Sequence, residues 1–371
     1  MKAIGKRVHL IPPTAANPRS GEGDFIRLPD GRIMYAYSDY YTNEGHDHSP
    51  SQISAVFSSD EGESFGDYRV LIPPSEDIVN RMCVSFLEMQ NGEIGMFYGE
   101  KYISASGKVF MRYMLTRTKD GKTFSEPKNC TEGIEYSVFE NARVIRLSSG
   151  RILIPSNHHP YHKNGDLDVR GVFELFYSDD DGESFKKAPF RIENPLKTVP
   201  SGLQETGLCE IEDGKVLAFS RTDAGTQFVC TSQDGGESFT TPEPSPYFTS
   251  PCSPLHMRHI GEDKTVAVWN PIPAMPAPYL KEMHVGWSKS RTPLACAILS
   301  GKGEGFLSTN IYEVPAKIFL LEDDFNETYC YPAVFAEKDY FLCAYYHSFG
   351  TGKPLSACVI KKVLFSEITE Q

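Results

Sequence analysis

No run in this sequence approaches the roughly 20 consecutive apolar residues that a membrane-spanning helix needs, and the opening Met1-Lys2-Ala3-Ile4-Gly5-Lys6 lacks the apolar centre of a secretory signal. Neither export nor a membrane span is indicated, so a cytoplasmic location is expected. Basic charge is in short supply: 37 Lys and Arg face 49 Asp and Glu, for a formal net charge of −12. A nucleic-acid partner requires a basic face and is disfavoured. An acidic small ligand is not, because a few arginines inside a pocket set the local field whatever the total. Long helical periodicity, low-complexity segments and linkers are also missing, and the 26 prolines are scattered among loops. Nine cysteines is an odd number, and Cys209, Cys230, Cys296 and Cys343 lie in strand-like runs, where a thiol behaves as a small apolar group.

What the sequence has is repetition. The stretch Leu203–Phe239 contains two strand-like runs joined by the turn Glu212-Asp213-Gly214, then a third run leading into Ser232-x-Asp234-x-Gly236-x-Ser238-Phe239. The last segment suits a loop in which Ser and Asp side chains bond nearby backbone, Gly supplies an unusual dihedral, and Phe plugs the loop into apolar surroundings. The same loop returns at Ser58–Phe65 and Ser178–Phe185. A weaker form at Arg117–Phe124 has Lys119 in the Asp position, and a trace ends at Gly303-x-Gly305-Phe306. Hairpin signals recur around Gly31, Gly92, Gly150 and Gly214, with two more, lacking that Gly, ending at Trp269 and Tyr346. A period of about 60 residues counted six times predicts an all-β, six-bladed β-propeller, with residues 1–371 forming one domain.

In such a fold the first strand of each hairpin begins nearest the axis. Counting nine residues back from the turn glycine gives Glu22, Cys83 with Arg81 close by, Asn141 and Glu205; the remaining two blades offer the zones near Ser253 and Tyr329–Tyr331. The second strand ends about seven residues after the glycine, at Ser38-Asp39, Gly99-Glu100, Asn157-His158 and Arg221-Thr222. Polar residues on two facing rings suit a sugar site. His159 adjoins this ring, and both histidines are candidates for sugar contact.

The loop repeats, the six hairpins and Gln204-Glu205-Thr206-Gly207 followed by Arg221 resemble the sialidase (neuraminidase) superfamily, over nearly the whole chain. The resemblance implies a glycoside hydrolase that removes a terminal, sialic-acid-like or other acidic sugar with retention. It also implies a tyrosine nucleophile, because a carboxylate would be repelled by the sugar's own carboxylate. Tyr331 matches that nucleophile and Glu205 its activating carboxylate. Arg221 and Arg291 match two of three arginines that hold the substrate carboxylate, and Asp47 is the candidate acid and base, with Asp39 and His48 behind it. The third arginine is expected in the first blade, where Glu22 stands and Arg19 is displaced. Glu22, Asp39, Arg81, Asn141, His158 and His159 are expected to line the substrate.

No cofactor is called for: a metal on His46, His48, His158, His159 and His162 finds no Cys or carboxylate spacing to support it. The expected partner is a glycan or oligosaccharide. Two alternatives stay open, a neutral-sugar glycosidase or polysaccharide lyase on the same propeller, and a non-catalytic glycan-binding propeller.

Overall fold

The computed structural model describes residues 2–132, 135–261, 264–272, 291–300, 317–349 and 356–369. Their strands assemble into six antiparallel sheets in chain order, the arrangement expected of six blades. Blade 1 comprises Ser20–Arg27, Ile33–Tyr40, Ser51–Ser58 and Gly66–Ile72, and blade 2 comprises Asn80–Glu88, Ile94–Ile103, Val109–Thr118 and Lys128–Asn129. Blade 3 begins with two short strands, Ser137–Val138 and Ile145–Arg146, both paired to Ile152–His158, and continues through Val172–Ser178 to Lys186–Lys187. Blade 4 is Gln204–Glu212, Lys215–Arg221, Thr226–Ser232 and Glu243–Thr249; blade 5 is His256–Ile260, Lys264–Trp269, Leu294–Ser300 and Ile318–Glu322. Blade 6 takes Thr328–Ala336, Tyr340–Ser348 and Ser356–Leu364 from the end of the chain. Its outermost strand, Lys6–Ile11, comes from the beginning and pairs antiparallel with Ser356–Leu364.

Burial follows position in the blade. Ile33–Tyr40 and Ser51–Ser58 are buried along their whole length, because both faces of a blade are covered by neighbours, whereas the outer strand Gly66–Ile72 is largely exposed. Each interface between blades has its own apolar cluster. Phe25, Tyr35 and Phe65 of blade 1 meet Phe335, Leu342 and Ile360 of blade 6, and Met34 and Phe57 meet Phe86 and Met96 of blade 2. Since one buried large side chain is worth about 1.5–3 kcal/mol, six such clusters hold the ring, and no blade stands alone.

The loop repeats are pegs between blades. In the loop of blade 3, Ser178 Oγ and Ser184 Oγ both donate to Asp180, at 2.7 and 2.6 Å, and Gly182 N donates to Ser178 Oγ at 2.8 Å. Blades 1 and 4 repeat this around Asp60 and Asp234. The sequence expectation for blade 2 needs correction: Lys119 does not replace the aspartate. The loop is one residue shorter, and Asp120 fills the role, accepting from Lys122 N and Thr123 N at 2.8 and 2.9 Å. The trace ending at Phe306 lies outside the described residues. Gly62 (φ +78°) shows why the pegs need glycine: a Cβ there would meet Leu342 of blade 6 at 2.8 Å.

Hydrogen bonding holds the Asp60 and Asp180 carboxyls at about 2, below the about 3.9 of an unfolded aspartate. Their contribution to stability is therefore complete above the unfolded value and disappears as pH falls through the folded one. Asp180→Ala should cost about 1 kcal/mol at pH 6, as expected for exposed bonds of this kind, and the Tm difference from wild type should close between pH 4 and pH 2. A difference independent of pH would show that the charge of Asp180 contributes nothing.

Candidate active site

The inner strands share a backbone irregularity at their axial ends. Glu22, Cys83, Ala142, Glu205 and Tyr331 all have positive φ, between 47 and 60°. In blades 1, 2, 4 and 6 the strand register slips at that point, between Gly21 and Asp24, Met82 and Ser85, Gln204 and Gly207, and Cys330 and Ala333. A bulge of this type re-aims side chains out of the pleat. Left-handed backbone at a non-glycine residue costs of the order of 1 kcal/mol or more, and such strain gathers at functional sites. The turn is tight: a Cβ on Gly207 would sit 2.3 Å from the Phe219 ring. Counting nine residues back from the turn glycine thus finds the irregular residue in blades 1, 2 and 4. It misses by one in blade 3, where the inner strand is interrupted and Ala142 takes the left-handed position. Asn141 instead donates through Nδ2 to Gly23 O at 2.9 Å, tying blade 3 to blade 1.

Two of the bulged residues face each other. Tyr331 Oη donates to Glu205 Oε1 at 2.9 Å, and Glu205 is only 9% exposed. Arg221, paired with Gln204 across the hairpin, bonds the same Glu205 oxygen and donates to Tyr331 Oη at 3.1 Å. The Arg291 guanidinium lies 5.4 Å from the centre of the Tyr331 ring. Burial, then the Glu205 charge, push the Tyr331 hydroxyl well above its ordinary value, while Arg221 and Arg291 act in the opposite direction. The phenol is therefore neutral at rest, with its proton already directed at a carboxylate.

The anchoring of the two arginines bears on what they can bind. Arg221 Nε donates to Cys252 Sγ at 3.1 Å, and Arg291 Nη1 to Cys330 Sγ at 3.3 Å; Arg291 Nε and Nη2 share Cys252 O, at 3.2 and 3.0 Å. Thiols are weak acceptors. An anion arriving between these groups competes with sulfur rather than with a carboxylate at those donors.

Arg19 is not lost from the site. Its Nη2 donates to Glu22 Oε1, its Nη1 to Asp47 Oδ1 at 2.6 Å and its Nε to Tyr346 Oη at 2.8 Å. The Tyr346 ring packs edge-on against Tyr331 with centroids 5.7 Å apart, so Arg19 reaches the same pocket from the other side. The bulge at Glu22 explains this: it turns the carboxylate back toward the residue three positions earlier. The Arg19 charge holds the Asp47 carboxyl well below the usual range, although the Asp47 side chain is 68% exposed. Asp47 belongs to the loop between the second and third strands of blade 1, and its carbonyl is fixed by Lys101 Nζ at 2.6 Å and Asn80 Nδ2 at 2.9 Å.

Other expected lining residues are occupied elsewhere. Asp39 does not reach Tyr331: its carboxylate is taken by Gln52, Ser54 and Tyr68 of its own blade, and by Asn17. Arg81 lies along blade 2, donating to Glu100 Oε1 at 2.9 Å, and Arg112 holds the other Glu100 oxygen. Burial lowers the pKa of His158, and the charges that act on it next are Glu174, Arg191 and Lys187 of blade 3 and its connection. His159 stands closer, with Nδ1 2.9 Å from Asp168 O and the Glu205 charge acting on it. Among the described residues no three His, Cys, Asp or Glu side chains form a metal's donor set.

Sequence counting reached the zones of Cys252 and Cys330 without singling out these thiols, which anchor the arginines, and it missed Glu140 beside Arg143. Glu140 is buried, accepts from Asn141 N at 2.8 Å, and has its pKa raised well above the ordinary value by burial and then by Glu205 and Glu22. The polar string Glu140-Asn141-x-Arg143 at an inner-strand head was the available signal.

The BNR repeat-like domain model matches residues 73–343. No curated protein matches the chain in sequence. Among solved structures, a Dyadobacter fermentans protein of unknown function is 18% identical over 97% of this chain and 98% of its own, with a TM-score of 0.72. The leech intramolecular trans-sialidase is 12% identical over 100% of this chain and 72% of its own, with a TM-score of 0.71. The NanB sialidase of Streptococcus pneumoniae is 10% identical over 99% and 71%, with a TM-score of 0.69. At these identities the likeness shows the fold.

Replacing Arg19 by Met should raise the titration midpoint of Asp47 toward the ordinary carboxylate value of about 3.9. Carbon NMR of labelled aspartate reads this directly, and an unmoved midpoint would show that Arg19 does not hold the carboxylate.

Proposed function

The chain belongs to the BNR repeat-like domain family, and on that premise we propose that it is a retaining glycosidase of the sialidase type, taking a terminal acidic sugar from a glycan. The observation that carries this reading is the Tyr331–Glu205 contact of 2.9 Å, with Arg221 bonded to both partners. A phenol directed at a buried carboxylate is a nucleophile with its base in place.

In the proposed first step the Tyr331 oxygen attacks the anomeric carbon as its proton passes to Glu205. The departing glycosidic oxygen takes a proton from Asp47. Because burial and Glu205 disfavour a free phenolate, proton loss and attack occur together, and Arg221 stabilises the charge as it develops on the two oxygens it touches. In the second step water attacks the same carbon from the face the leaving group left. Asp47 accepts its proton, the Tyr331–carbon bond breaks, and Glu205 returns its proton to the phenol. Two displacements give retention.

The sugar's carboxylate is met by Arg221 and Arg291, whose sulfur partners it displaces, and by Arg19. Arg19 also links binding to acid catalysis. While it is paired with Asp47 that carboxyl stays ionised and cannot donate a proton. A substrate carboxylate that draws Arg19 away lets Asp47 take up the proton it must give. Glu22 sets the limit of this exchange, since it keeps one side of Arg19 neutralised throughout.

Aryl glycosides of sialic acid and of neutral sugars test the reading. Wild type should release phenol from the sialoside. Tyr331→Phe and Glu205→Gln should each lower kcat by about 10²–10⁴-fold, and a fluorinated sialosyl substrate should leave its mass on the peptide containing Tyr331. Turnover of neutral glycosides alone would remove the acidic sugar from the proposal. Glycan binding without turnover of either class would leave the binding-propeller alternative.

A further inference from the structure

The channel has a second mouth, at the opposite ends of the inner strands, and it is not empty of chemistry. A cavity of about 680 Å³ opens there, next to a smaller one of about 220 Å³, and the two share Leu87, Arg146, Arg258 and His259. Together they touch the inner strands of all six blades, through Ile26, Leu87, Ile145, Leu208, Met257 and Phe335. A volume of this size can hold a small molecule, and its wall is shared between apolar side chains such as Phe25, Phe86 and Phe335 and charged ones at Arg27, Arg146 and Arg258.

Three guanidinium groups line it, and two are neutralised. Arg27 is bonded to Glu61 and Glu337, and Arg146 to Asp181 at 2.6 Å. Arg258 differs: it is half-buried in the strand His256–Ile260, where its backbone pairs with Val266, and among the described residues its guanidinium has neither a hydrogen bond nor an ion pair. The acids around it are otherwise engaged or out of reach. Glu210 accepts from Ser148 N, Ser148 Oγ and Gly214 N at 2.7–2.9 Å, and Glu337 serves Arg27. Glu88 lies exposed at the rim without an ion pair to Arg258. Asp24, whose charge does act on Arg258, gives both oxygens to the backbone amides of Phe25 and Phe86, at 2.8 Å each, and burial pushes its carboxyl up to about 6. The Arg258 guanidinium thus has the Asp24 charge nearby but no hydrogen-bond acceptor of its own, and an arriving carboxylate supplies one.

We propose that this far mouth is a second ligand site, taking a small carboxylate with an apolar body. The carboxylate sits on Arg258 and the body lies against the ring of inner-strand side chains. The smaller cavity reaches Ala142, whose neighbours Asn141 and Arg143 tie the segment beneath the candidate active site to Gly23 and Ser85. A molecule bound there would touch the floor of the upper pocket from below without entering it.

Benzoate and hexanoate are suitable probes, with benzyl alcohol and hexanol as neutral controls, and binding to the full chain can be followed by calorimetry and ligand-observed NMR. Both acids should bind in the millimolar range or tighter and the alcohols at least tenfold more weakly. Arg258→Met should abolish the difference between acid and alcohol, Arg258→Lys should retain part of it, and Arg221→Met, which disables the upper pocket, should leave it intact. The Tm of each variant without ligand distinguishes a lost site from a lost fold. Absence of acid binding to wild type at about 10 mM, or binding that survives Arg258→Met and disappears in Arg221→Met, would overturn the proposal.

Discussion

The left-handed residue at the head of the inner strands is the constraint on which the candidate site depends. A regular strand presents alternate side chains to the two faces of its blade, and both faces here are sealed by neighbouring blades. Only by breaking the pleat can Glu22, Cys83, Glu205 and Tyr331 leave those faces and turn toward the axis. The backbone cost is met by the six interblade clusters, which fix the strands rigidly enough to impose it. Fold and site are thus coupled: loosening the blades would relax the bulges and separate Tyr331 from Glu205.

The electrostatics of the pocket divide into a tight half and a loose half. Arg19 is locked by two carboxylates and a phenol, whereas at Arg291 the side-chain acceptor is a thiol and at Arg221 a thiol takes the Nε donor. The one donor of each that rests on sulfur is weakly satisfied, although Arg221 also pairs with Glu205 and Arg291 with Cys252 O, and at those donors an anionic ligand is favoured over a neutral one. The tight half instead sets a threshold, since a ligand must offer Arg19 more than Asp47 already does. Selectivity then comes from the partners that the arginines already have as much as from their number.

Much of the fold was legible because a propeller repeats its local chemistry. Turn glycines mark four of the hairpins and Ser-x-Asp loops with closing phenylalanines mark three units outright, and a spacing near 60 residues admits few architectures. The site was legible where it inherits that period, as at Glu22, Cys83, Glu205 and Arg221, and through the resemblance at Tyr331 and Arg291. Asp39 is one residue past the counted position, and because neighbouring residues of a strand point in opposite directions its carboxylate turns to Ser54 and Tyr68 of its own blade; Arg81, two residues ahead of Cys83, is drawn to Glu100 instead. Arg19 was undervalued because its side chain reaches the pocket from three residues ahead of the position that counting selects. Cys252 lies in a connection between blades, where no period applies, and the shortened loop around Asp120 shows how one deleted residue hides a motif from a fixed pattern.

The strand Lys6–Ile11 belongs to the last blade, although it precedes blade 1 in the sequence. During synthesis it has no partner until Ser356–Leu364 emerges, some 350 residues later. Throughout that time blade 1 has no neighbour on one side, and Phe25, Tyr35 and Phe65 face solvent instead of Phe335 and Leu342. Completion of the ring is therefore a single late event that converts an open stack of blades, with sticky ends, into a closed body with none. A stack of blades held short of that event exposes apolar surface at both of its ends.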